Sequence, residues 1–229
     1  MKKIMMMAMM VVASATAFAG DSDAFKALKK NLKGLAYAEA EAQVKNSIDQ
    51  LANAQEKAAA YNMLVDLAYD AFNKQSTIET ENQLAKQMGQ AEKPIDKDLM
   101  AEMAYNALVN AIECDTYDQQ PNEKGKVAPK FAEKNASRLW MGPRNALVNA
   151  GQEAVQAKDN AKARKFWEMF AMSDAAPLFA ACNREAQKPY FGQVARFAAV
   201  FAYQDWIWGP SAGRRSPGPS ARIAPGSIS

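Results

Sequence analysis

The chain has 229 residues, with 28 Lys and Arg against 25 Asp and Glu, two Cys and no His. The lack of His excludes His-based catalytic triads, the His-Glu-x-x-His zinc helix and most transition-metal sites. Two of the basic residues fall in the first three positions and three beyond residue 208, so 23 face the 25 acids of the body; that balance argues against a nucleic-acid binder, which needs clustered positive charge.

In chain order, Lys2 and Lys3 precede an apolar run from Ile4, and Ala17-Phe18-Ala19 offers the small residues a signal peptidase inspects. This predicts a secretory signal peptide over 1–19, cleaved after Ala19. The run of 16 residues from Ile4 to Ala19 is shorter than the roughly 20 needed to span a bilayer. No later segment is apolar enough to do so. The mature chain is therefore expected to be exported, periplasmic or extracellular, with no transmembrane segment once the signal is removed.

The body, 20–208, is rich in Ala, Gln, Glu, Lys, Leu and Met and nearly free of β-branched runs, so its local preference is helical throughout. Breakers divide it into helices over about 24–33, 37–51 and 55–73. A fourth, capped by Ser76 or Thr77, ends at Lys93-Pro94, and a fifth spans about 97–117 with Asp96 as its cap. Gln119 to Ala128 reads as a loop. Helices follow over about 129–140, 143–157, 161–172, 175–183 and 189–203, with Asp159-Asn160 as a tight turn. Cys114 and Cys182 leave open either a disulfide or two compact buried thiols.

One hexapeptide, Asn-Ala-Leu-Val-Asn-Ala, occurs at 106–111 and again at 145–150, and Asn62-Met63-Leu64-Val65-Asp66 is a looser copy. The starts are 44 and 39 residues apart, within the range of helical repeat arrays. The segment from Asn145 to Pro177 resembles a tetratricopeptide repeat: Leu147 takes the first large position, Gly151 the glycine, Lys158-Asp159-Asn160 the turn, Ala163 the small residue and Trp167 the aromatic. Phe170 stands where that family prefers a small residue, and Pro177 comes two residues late. The resemblance implies an all-α fold of antiparallel hairpins stacked as a short α-solenoid. It also implies that Asn62, Asp66, Asn106, Asn110, Asn145 and Asn149 line a groove as ladders able to hydrogen-bond an extended peptide backbone. A solvated polar face is the plainer account of the same residues.

Glu123-Lys124-Gly125-Lys126 lacks the first Gly and the hydroxyl residue of a phosphate loop, and Asp96-x-Asp98 lacks the Gly and Glu of a calcium loop. No catalytic, cofactor or metal residue is assigned. The expectation is a non-enzymatic protein–protein interaction scaffold that binds a peptide or partner protein, not nucleic acid. A helical envelope protein that binds glycans or nutrients through exposed aromatics is the rival. In the tail, 209–229, Gly, Pro and Ser make up 13 of 21 residues, as in a linker or a shifted reading frame. The helix before it would be left unpaired, a surface for self-association.

Overall fold

The computed structural model of the chain describes residues 21–122 and 124–208. The expected signal peptide and tail lie outside them. The described residues form eight α-helices and no strand: α1 (Asp23–Asn31), α2 (Tyr37–Ser47), α3 (Ala54–Gln87), α4 (Lys97–Asp118), α5 (Ala132–Leu139), α6 (Gly142–Gln156), α7 (Asn160–Asp174) and α8 (Lys188–Trp208). The fold is all-α. No helix among them is long and apolar enough to cross a membrane.

Short polar side chains start several of these helices. Ser22, Asn53, Asp96 and Asp159 each accept the backbone N–H three residues on, covering donors that the first turn leaves without a partner. Glu56 fixes the chain entry: its carboxylate, buried, accepts Ser22 N at 2.6 Å, Ser22 Oγ at 2.7 Å and Ala52 N at 2.9 Å. The N-terminus of α1 is thereby tied to that of α3.

Two expected helices differ. A single α3 runs through the expected break at Asn73 to Ser76, because no Gly or Pro interrupts it and the hydroxyls are used within the helix. Thr77 Oγ1 donates to the Asn73 carbonyl at 2.8 Å and Thr80 Oγ1 to that of Ser76 at 3.0 Å. It stops before Gly89, whose φ of +67° suits glycine, rather than at Pro94. The expected helix over 175–183 is only a 3-10 turn, Pro177–Phe179, followed by irregular chain. There Arg184 takes over the capping, donating to the carbonyls of Asp174 at 2.9 Å and Ala180 at 3.2 Å.

Successive long helices alternate in direction. Cys114 Sγ reaches the Ala58 carbonyl at 3.2 Å while Asp96 N reaches Gln75 Oε1 at 2.9 Å, so α4 runs antiparallel to α3. Lys97 Nζ meets Glu153 Oε1 at 2.5 Å and Lys162 Nζ meets Asp98 Oδ1 at 2.7 Å, which sets α7 alongside α4 with α6 opposed to both. Phe170 stacks near Tyr190 and Trp167 near Phe201, turning α8 back along α7. One core joins α3 to α8 around Phe72, Leu108, Leu147, Phe166, Phe170 and Phe179, and a smaller one joins α1 and α2 to the first half of α3 around Phe25, Leu28, Val44 and Leu64.

Candidate functional site

The asparagine positions hold helices together. Asn62 is buried on α3; its amide donates to Asp66 Oδ2 at 3.1 Å and accepts from Asn135 Nδ2 at 3.2 Å. Asp66 receives Arg138 at 2.7 Å and Lys134 at 3.1 Å, so this pair anchors α5. Asn110, also buried, donates to Tyr37 Oη at 2.7 Å and ties α2 to α4, with Asn106 half-buried one turn before it. Asn145 Oδ1 accepts from Tyr190 Oη at 2.8 Å and Gln187 Nε2 at 3.3 Å, fixing the start of α8. Asn149 is exposed beside Lys97, Met100 and Glu153 in a small cleft between α4 and α6. The structure thus places Asn62 with Asp66 on α3, Asn106 with Asn110 on α4, and Asn145 with Asn149 on α6, three long helices of alternating direction. It does not bring the six to one surface.

Arg144, one residue before the second repeat copy, is the hub that joins α6 to the end of α7 and the start of α8. It is fully buried, yet Nε donates to Ser173 Oγ at 2.8 Å, NH2 to the Phe170 carbonyl at 3.0 Å and NH1 to Gln187 Oε1. The guanidinium also lies 3.9 Å from the Trp140 ring centroid and 4.6 Å from that of Phe170. Burial lowers its pKa from 12.5 to about 10 against the opposing pull of Asp174, so it is cationic at neutral pH. A buried cation is tolerated only when its donors are used this fully.

That hub holds Gln187 at the start of α8, and between α6 and α8 lies a cleft of about 490 Å³. Trp167 of α7 forms its floor. The indole donates its Nε1–H to the Val148 carbonyl at 3.1 Å, lies over Gly151, stacks on Phe197 at 5.4 Å and meets Phe201 in a tilted contact at 5.7 Å. Val148, Val155 and Val194 complete an apolar surface, and Gln152 and Gln156 from α6 face Gln193 from α8 across it. Among the described residues no charged side chain lines this cleft. Its volume falls in the range of about 300–1,000 Å³ typical of ligand sites, with apolar walls and few polar groups.

A second cleft, of about 390 Å³, lies between α1, the start of α3 and the loop after α4. Its carboxylates are already engaged, Glu56 as above and Asp21 with Lys29. The loop itself is braced by Asp118, whose buried carboxylate accepts Lys130 N at 2.8 Å and Phe131 N at 2.7 Å. The two cysteines are both free thiols, and burial pushes the Cys114 thiol well above its ordinary pKa of 9.0, which leaves it unreactive. Among the described residues no group of three or more Cys, Asp or Glu is placed to hold a metal ion. Comparison with family models, curated proteins and solved structures finds no match.

Proposed function

We propose that this protein is a non-enzymatic protein–protein interaction scaffold outside the cytoplasm, built of tetratricopeptide-like hairpins, and that it takes an extended peptide or a partner's terminus in the cleft between α6 and α8. The observation that carries this reading is the cleft's combination of an apolar aromatic floor with three facing glutamines. Each amide both donates and accepts, so the rims can satisfy a peptide backbone while alternate side chains enter the floor. Support for the hairpin reading comes from the alternating helices and from the contact between Gly151 and Trp167, with Ala163 fully buried nearby, at the positions where the family has its glycine, aromatic and small residue. The exported location rests on the residues of 1–19.

Selecting peptides by display against the purified chain tests this reading. Peptides with two apolar side chains two residues apart are expected. Their affinity should fall about tenfold or more in Gln193→Ala and in Phe197→Asp, and stay unchanged in Asn149→Ala. Binders insensitive to both groove substitutions would refute the site. Saturable Trp emission changes with oligosaccharides, and none with peptides, would favour a glycan-binding protein instead.

A further inference from the structure

The aromatic hydrogen-bond donors that line the cleft between α6 and α8 are already spent. The Tyr190 hydroxyl donates to Asn145 Oδ1 at 2.8 Å, an oxygen that also accepts Gln187 Nε2 at 3.3 Å, and the Trp167 indole donates to the Val148 carbonyl at 3.1 Å. The amides of Gln152, Gln156 and Gln193, which no described residue engages, are what remains on the rims. They are neutral. Charged neighbours are either engaged or outside the lining: Arg144 is fully buried with its donors used, Glu153 pairs with Lys97 on the α4 side of α6, and Arg196 is exposed on α8 without lining the cleft. The ring best suited to hold a cation, the Trp167 indole, is only 6% exposed and is covered by Gly151 and Phe197.

We infer, resting on the peptide reading of this cleft, that it takes an uncharged stretch from the interior of an extended chain and discriminates against a free terminus or a charged side chain. A carboxylate brought onto the aromatic floor gives up water and meets no cation, and neutral amides do not replace its hydration. An ammonium meets no carboxylate and no open indole face. A peptide backbone loses far less, because each Gln supplies both a donor and an acceptor.

Geometry sets the length of this window. Gln152 and Gln156 are four residues apart, which is about 6 Å along α6. Residues i and i+2 of an extended chain are separated by roughly 6.6 Å, so one rim meets backbone groups of alternate residues while Gln193 meets the other edge. Between Tyr190 and Phe201 the cleft follows α8 for eleven residue steps, about 16 Å. An extended chain covers that span in about five residues. Charges inside the five are penalised, and charges beyond them stay in water.

Isothermal titration calorimetry of the full chain tests this with the nonapeptide Ser-Gly-Leu-Ser-Leu-Ser-Leu-Gly-Ser, acetylated and amidated. The blocked probe should bind, with an affinity that changes less than about twofold between low and high salt. With the central Leu replaced, the Glu and Lys peptides should bind about tenfold or more weaker than the Gln peptide. Truncated after the third Leu, the free-carboxylate form should fall behind the amidated form by a similar factor, whereas Glu or Lys at either terminal Ser should change little. Gln156→Lys, which puts a cation on the rim, should recover the Glu peptide about fivefold, with circular dichroism unchanged. Free-carboxylate or Glu peptides that bind as tightly as their neutral counterparts, in a manner that Gln193→Ala and Phe197→Asp weaken, would overturn the inference and leave the peptide site standing. Binding that neither substitution affects, or no binding by any of these peptides, would defeat the site and the inference with it.

Discussion

Gly151→Ala tests the packing on which the groove floor depends. A Cβ at this position would come within 2.5 Å of Trp167 Cδ1 and 2.6 Å of Cε2, and closer still to Nε1, so one of the two residues must move. Helix propensity alone favours Ala over Gly by about 1 kcal/mol. Against it stand an overpacking cost of about 1–3 kcal/mol and, if the indole swings aside, loss of its hydrogen bond to the Val148 carbonyl, about 1 kcal/mol. The ring contacts with Phe197 and Phe201 are worth about 0.5–1.5 kcal/mol each and would weaken too. The clash therefore wins, and the variant should be less stable by about 2 kcal/mol. Guanidinium unfolding followed by circular dichroism gives the stability, and the indole N–H resonance of Trp167 reports whether its partner is lost. A variant about 1 kcal/mol more stable, with that resonance unmoved, would refute the reasoning and leave Gly151 as an ordinary helical residue.

Arg144→Met should cost about 3–5 kcal/mol in denaturant unfolding, because it strands Gln187 Oε1, Ser173 Oγ and the Phe170 carbonyl in the core; Arg144→Lys should do little better, a single ammonium being unable to span the three acceptors. Lys158 adopts φ of +61°, a region that costs a side chain about 1 kcal/mol or more, so Lys158→Gly should raise the melting temperature slightly. Tyr37 has its phenol pushed far above the ordinary pKa of 10.0 by burial, which the Asn110 hydrogen bond offsets only in part. The folded chain then holds this proton where the unfolded chain has released it, so the associated stability is complete below pH 10.0 and falls as pH rises above it. Ultraviolet absorbance titration should show fewer tyrosines ionising near pH 10 in the native chain than in the unfolded one.

Much of the helical architecture is legible in the residues, because composition and period both point to helix and because Asp96 and Asp159 are caps of the ordinary kind. The long α3 is not. Ser76 and Thr77 look like a helix start, but the same hydroxyls can bond back to the preceding turn, and with neighbours to pack on the continuous helix wins. The groove was half legible. Trp167 stands out as the aromatic of the repeat, and Gln152 and Gln156, one turn apart, share a face with Val148 and Val155. Nothing local in the sequence marks Gln193 as their partner across the cleft, since α8 reaches that place only through Arg184, Gln187 and the irregular chain before it.

The repeated hexapeptide shows why identity of sequence does not give identity of role. In α4, which has α3 along one side and α6 and α7 along the other, the second Asn of the copy is driven inside and must find partners, which Tyr37 and the Asn106 carbonyl supply. In α6 the equivalent Asn149 faces solvent, while the first Asn, Asn145, is the one that holds α8. Leu108 and Leu147, by contrast, are both fully buried, because an apolar side chain needs only to leave water and any packed face serves. An amide needs a particular partner at a particular distance, and those partners lie outside the repeat. The leucine frame therefore carries over between copies as packing, and each asparagine takes its role from the helix that happens to lie beside it.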